Sequence, residues 1–273
     1  MGDVLLLVIV GFLAGTVGSL VGLGGGVIIV PSLLFLGAIH WLPHVTPQVA
    51  VGTSLVVIIF NGLSSTLSYM KEKMVDYRSG LLFFIGSGPG AIIGAWMNNK
   101  LSLEHFSLYF GLFLIAVSFF LSFSSNASAR SQRKPFKITR TYITNEGETV
   151  TYGYHPLAAI AISFVVGFFG GMFGIGGGSL MVPAMIILFF FPPHVAVATS
   201  MFMIFLSSLV SSLTHVFMGN VQWLFALSLI PGVWFGAKTG AFINKRLRSK
   251  TIVIALRLVL VLLGIRLIYQ SFS

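Results

Sequence analysis

Cysteine is absent from the 273 residues and acidic side chains are nearly so, with 6 Asp+Glu against 16 Lys+Arg. Without a thiol there is no disulfide framework, no thiolate metal site and no Cys nucleophile. Charge of either sign makes up only 8% of the chain, against roughly 25% in a soluble domain, which excludes an ordinary water-facing surface. What is plentiful is apolar: 56% of residues are hydrophobic and the mean hydropathy is +0.98. That excess runs along most of the chain, so it is not one signal peptide on a soluble body. The composition describes an all-α polytopic membrane protein. In such a chain the net charge of +10 reports orientation in the bilayer before it reports a nucleic-acid partner, and none is expected.

A span needs about 20 apolar residues. Candidate segments cover residues 4–23, 27–39, 47–68, 79–97, 105–124, 157–173, 179–191, 194–217, 222–242 and 251–271. The segments 27–39 and 179–191 are short, and each follows a glycine cluster. Each therefore reads as the second arm of a helical hairpin that turns inside the membrane. The one break in composition is residues 125–156, a polar connection carrying Arg130, Arg133, Lys134, Lys137 and Arg140, with stretches 138–142 and 149–152 suited to a small β-hairpin. It divides the chain into membrane units 1–124 and 157–273. A hairpin contributes an even number of crossings and three helices follow it, so each unit has its ends on opposite sides. If the central connection is cytoplasmic, Lys71, Lys73, Arg78, Lys245, Arg246, Arg248 and Lys250 are cytoplasmic too, and both termini lie outside the cell membrane.

The units are copies of one another. Residues 15–31, GTVGSLVGLGGGVIIVP, match residues 167–183, GFFGGMFGIGGGSLMVP, at 8 of 17 positions, with an offset of 152. Residues 47–54, PQVAVGTS, match 193–200, PHVAVATS, at 6 of 8 positions, with an offset of 146. An odd number of crossings per copy makes the repeats inverted, an architecture in which interrupted helices form a site near the bilayer midplane. The paired GxxxGxGGGxxxVP motif, each copy followed by Ala-x-x-Thr-Ser, resembles the sulfite exporter TauE/SafE family, also called the TSUP family. The resemblance covers essentially the whole chain. It implies a permease for a small sulfur-containing or organic anion, such as sulfite or a sulfonate, without identifying which.

The chemistry-bearing candidates follow the repeat. Gly24, Gly25 and Gly26, with Gly176, Gly177 and Gly178, can let backbone N–H groups at a helix start face an anion, or can serve close helix packing. Thr53, Ser54, Thr199 and Ser200 can donate to an oxyanion or cap an unwound helix. Asn61, Ser65, Ser207 and Ser211 continue along the same helices as a polar pathway or as interhelical glue. His215 reads as interfacial or as a proton carrier, and Lys238 as snorkelling. All six acids, Asp3, Glu72, Asp76, Glu104, Glu146 and Glu148, fall in loops or at segment ends, which disfavours a carboxylate proton relay.

The expected activity is alternating-access transport of a small anionic substrate between two glycine hairpins. A passive anion channel is the alternative, and a membrane-embedded enzyme is disfavoured by six scattered His and the absent mid-membrane acids. No catalytic residue, metal or cofactor is expected. The partners are the anion, the lipid bilayer and, compatibly, further copies of the chain.

Overall fold

The computed structural model describes residues 2–43, 45–122, 136–143, 149–178 and 180–272. Arg130, Arg133, Lys134, Glu146 and Glu148 lie outside these residues. The order is α1 (Gly2–Val21), α2 (Gly26–Ala38), α3 (Pro47–Lys71), α4 (Tyr77–Asn98), α5 (Leu103–Ser122), β1 (Ile138–Ile143), β2 (Thr149–Tyr154), α6 (Pro156–Phe173), α7 (Met181–Leu188), α8 (Pro193–Phe217), α9 (Trp223–Asn244) and α10 (Ser249–Phe272). All ten apolar segments become helices, and β1 and β2 pair antiparallel from Ile138 with Tyr154 to Ile143 with Thr149.

The helix starts follow local chemistry. Thr46 caps α3 by accepting the Val49 N–H at 3.3 Å, with Pro47 at the first helical position, where its missing N–H is no loss. Asp76 caps α4 by accepting the Ser79 N–H at 3.1 Å. Among the described residues, seven helices are long and apolar enough to cross a membrane. With 13 and 8 residues, α2 and α7 rise only about 20 and 12 Å, against about 30 Å of hydrocarbon. Each instead runs back from its glycine turn: α2 leads through a short loop to Pro47, and the Gly153 N–H of β2 donates to Phe189 O just past α7.

The halves are interleaved. Helix α1 packs along α9, and α4 along α6; α3 crosses α8, and α5 pairs with α10. Glycines set the first two contacts. Added Cβ atoms at Gly232, Gly236 and Gly240 would strike the carbonyls of Val8, Phe12 and Thr16. Those at Gly86, Gly90 and Gly94 would strike Ile160, Phe164 and Phe168. These are the same positions in the two copies, and both registers run parallel. Lipid tails are as apolar as the side chains, so close van der Waals packing through small residues must hold such helices together.

One end of the molecule gathers the cations. Glu72, after α3, pairs with Lys245, after α9, at 2.7 Å, while Arg140 of β1 pairs with Asp76, before α4, at 3.1 Å. The loops around Lys71, Lys73 and Arg78, around Lys245 to Lys250, and the β-hairpin therefore share that end. At the other end, Asn220 donates to Asn99 Oδ1 at 2.7 Å, beside Lys100.

Gly90→Val or Gly236→Val should separate its helix pair and lower stability by about 1–3 kcal/mol, the cost of overpacking. Thermal unfolding in detergent measures it. Gly2→Ala, with open space around the new methyl group, should melt like the natural protein.

Candidate functional site

At the first glycine turn, Gly22, Gly24 and Gly25 hold φ of 80°, 73° and 81°, left-handed values that L side chains rarely adopt. The turn closes with the Gly22 and Leu23 N–H groups both donating to Gly18 O at 2.9 Å. Gly25 is the N-cap of α2, so the first amides of that helix, beginning with Gly26, have no intrahelical acceptor.

In the second turn Gly174 and Gly176 are left-handed at 72° and 79°, but Gly177 and Gly178 are not. Here the chain stays in a turn, with the Met181 N–H donating to Gly178 O at 2.9 Å, and α7 begins only at Met181. The expected helix start at the glycines thus holds for Gly26, whereas Gly178 precedes its helix by three residues. Pro183 sits in the first turn of α7, but Pro31 is past the first turn of α2 and removes one intrahelical bond.

The two turns meet. An added Cβ on Gly26 would strike Gly174 O and lie 2.7 Å from Ile175 Cα, and one on Gly24 would lie 3.3 Å from Ile175 O. The remaining space is filled by Ile58 and Ile204, both fully buried and equivalent in the repeat. Ile58 approaches Gly26 and Gly176, while Ile204 approaches Gly24 and Gly176. Each isoleucine lies halfway along its 25-residue helix, α3 or α8. The centre is apolar and tightly packed.

The Thr-Ser pairs seal this centre reciprocally. Ser54 Oγ donates to Gly174 O at 2.9 Å; Ser200 Oγ lies 2.9 Å from Gly22 O and 2.8 Å from Gly178 O. Thr53 Oγ1 accepts the Gln222 N–H at 3.0 Å, and Thr199 Oγ1 accepts the Asp76 N–H at 3.1 Å. The amide of Asn98 donates to Met172 O at 2.9 Å, and that of Asn244 to Leu20 O at 2.6 Å. Each pair joins matching positions of opposite halves. In this state the four hydroxyls cap broken helices and loop starts.

The pathway candidates divide. Ser207 bonds within its own helix, to Met203 O at 2.8 Å, and Ser211 reaches Ala91 O only at 3.5 Å. Ser65 donates to Asn61 Oδ1 at 3.4 Å. Asn61 itself is fully buried, and its Nδ2 has no partner among the described residues. A Cβ on Gly25 would lie 2.9 Å from that Nδ2, so the amide stands against the N-cap of α2. Its repeat counterpart, Ser207, stands in the same way against Gly177. His215 is fully buried, with the backbone of Gly52 against its Cβ and Asn220 Nδ2 3.4 Å from its Nδ1. The reason is the turn after α8, where the Asn220 N–H donates back to His215 O at 2.9 Å and folds the loop over the ring. Lys238 is exposed over Trp234 and Phe235, away from the centre.

Charge is concentrated at one end, in a constellation that sequence reasoning missed because Arg140 and Tyr152 lie 64 and 76 residues from Asp76. The buried Asp76 carboxylate accepts from Ser79 N–H at 3.1 Å, Ser79 Oγ at 2.6 Å and Tyr152 O–H at 3.1 Å, and it forms an ion pair with Arg140, Nε to Oδ2 at 3.1 Å. Tyr154 O–H donates to Ser79 Oγ at 2.8 Å. Burial, and then the neighbouring Asp76 charge, push the Tyr152 hydroxyl up, which keeps it a donor. A cavity of about 440 Å³ opens beside the cluster, lined by Lys73, Asp76, Arg140, Tyr142 and Tyr152 among others. No group of three or more metal-ligating side chains occurs among the described residues.

Residues 7–267 match the family model described as Sulfite exporter TauE/SafE. The chain is 59% identical over 268 residues to the probable membrane transporter protein YunE of Bacillus subtilis (strain 168), with 97% of each chain covered. It is 29% identical over 274 residues to the probable membrane transporter protein MJ0441 of Methanocaldococcus jannaschii, covering 95% of this chain and 93% of the relative. No solved structure matches. A match that begins inside α1, ends inside α10 and takes in both glycine turns makes this chain a multi-pass membrane transporter of the TauE/SafE family.

Proposed function

We propose that the protein carries a small oxyanion, such as sulfite or a sulfonate, through the cell membrane by alternating access, with its site beside the first glycine turn. The observation that carries this reading is the buried Asn61 Nδ2 against Gly25, which has no partner among the described residues. An unsatisfied buried donor is costly and therefore needs a reason. An anion beside it would gain the Asn61 N–H groups together with the free amides and positive dipole end of α2. Gly24, Gly26, Gly176, Gly177 and Gly178 let the backbones approach that position, and Thr53, Ser54, Thr199 and Ser200 hold the turns in place.

The closed centre is then the occluded state. Opening at either end requires Ile58 and Ile204 to part and one set of reciprocal seals to release. The parallel registers of α1 with α9 and of α4 with α6, and the return of the two hairpins, support an inverted arrangement of the halves. With the cation-rich end placed in the cytoplasm, the positive-inside bias follows and both termini are external.

Uptake of radiolabelled sulfite and of simple sulfonates into proteoliposomes tests the reading. Saturable flux with trans-stimulation is expected; unsaturable flux without it means a channel, and no anion flux from folded protein refutes the assignment. Asn61→Ala should raise the half-saturating concentration about tenfold, the effect of one hydrogen bond to a charged group, with insertion unchanged. Gly25→Leu should abolish flux, because a side chain there meets left-handed backbone, Ala14 O and Asn61 Nδ2 together.

A further inference from the structure

The repeat equivalence makes the two mouths comparable residue by residue, and they are not alike. At one, the Gln222 N–H seals on Thr53 at 3.0 Å. Gln222 makes no side-chain cap to α9, and the adjoining loop contacts are neutral: Asn220 to Asn99 at 2.7 Å, and Asn99 Nδ2 to Met218 Sδ at 3.1 Å. At the other, the Asp76 N–H seals on Thr199 at 3.1 Å, and the Asp76 carboxylate is gripped by β1 through Arg140 and by β2 through Tyr152. The same hairpin is anchored on the opposite half. Tyr152 packs on Phe191 with ring centroids 4.2 Å apart, Tyr154 packs on Phe189 at 5.6 Å, and the Gly153 N–H donates to Phe189 O at 3.1 Å. The hairpin therefore bridges the start of α4 to the α7–α8 connection, the two elements that must separate for this mouth to open.

We infer that the β1–β2 hairpin is a one-sided lock: through Arg140 and Tyr152 it holds the Asp76 turn down on Thr199 and sets how often that mouth opens. Arg140 is a positioning residue in this account, acting on the pathway through Asp76. The lock is charge-assisted at one mouth and absent at the other, so the resting balance favours closure on the hairpin side. Thr139, Thr141 and Lys73 line the cavity beside it, so water and solutes reach the lock from outside. The inference rests on the alternating-access reading, but its test reads no transport.

Because the chain has no native cysteine, a single introduced thiol reports its own exposure. Thr199→Cys and Thr53→Cys are made separately, and each purified protein is reacted in detergent with a fluorescent maleimide. In the Thr199→Cys background, Arg140→Gln should speed labelling about tenfold, the population change expected from losing one close ion pair to a largely buried carboxylate. In the Thr53→Cys background it should leave the rate unchanged. Arg140→Lys should return position 199 toward the slow rate. Tyr152→Phe, which deletes one bond to Asp76 and keeps the ring on Phe191, should give a smaller rise in the same direction, and it replaces Arg140→Gln if that variant does not insert. Unchanged labelling at 199 in both variants overturns the lock, as does an equal rise at 199 and 53, which would mean general loosening. Failure of anion flux in proteoliposomes would remove the proposed substrate and leave this result standing.

Discussion

The structure depends on satisfying the backbone groups left open where the chain breaks at two buried glycine turns. Water cannot serve there, and each unmet carbonyl or amide costs several kcal/mol in hydrocarbon, so a broken helix survives only if protein supplies the partners. This chain solves the problem by exchange. The carbonyl of Gly174 in the second turn is met by Ser54 of the first half, and that of Gly22 in the first turn by Ser200 of the second. Asn98 and Asn244 do the same for Met172 and Leu20, at the ends of α6 and α1. Each half thus meets open backbone groups of the other, and Ser200 also reaches Gly178 O of its own turn at 2.8 Å.

The same exchange explains the glycines. For Ser54 to reach Gly174 O, the helices of opposite halves must interleave, and the contacts of α1 with α9 and α4 with α6 leave no room for a Cβ. Glycines therefore serve two purposes in one chain. Gly86, Gly90 and Gly94, with Gly232, Gly236 and Gly240, permit contact between straight helices. Gly22, Gly24, Gly25, Gly174 and Gly176 permit left-handed turns.

Much of this was legible in the amino-acid sequence, because hydropathy, glycine spacing and self-similarity are local signals. The ten helices, the short arms 27–39 and 179–191, and the β-hairpin follow from them, as does the sharing of one end by three cationic loops. What the sequence left open was pairing. Thr53 and Ser54 offered two uses, and only the position of Gln222 and Gly174 decides that in this state they cap. His215 read as interfacial because it sits near a helix end, and its burial is produced by a loop turning back through Asn220. The delayed start of α7 and the Asp76–Arg140 contact depend on neighbours distant in sequence, which no periodicity encodes.

The departures from symmetry carry the functional argument, since two identical halves could support exchange but could not favour one side. At three equivalent positions the copies differ in polar chemistry: Asn61 against Ser207, Tyr69 against His215, and Asp76 against Gln222. The hydroxyl of Ser207 is consumed within its own helix, whereas Asn61 Nδ2 donates to nothing among the described residues. Tyr69 O–H donates to Ser19 O at 2.8 Å, whereas His215 Nε2 has no partner among the described residues. The first pair places an unspent donor beside one glycine turn alone, and the third places a carboxylate under the β-hairpin at one mouth alone. With 8% charged residues, an anion site at the glycine turns would be assembled from neutral donors of this kind. Neutral donors bind less tightly than a fixed cation, and a carrier must also let its anion go.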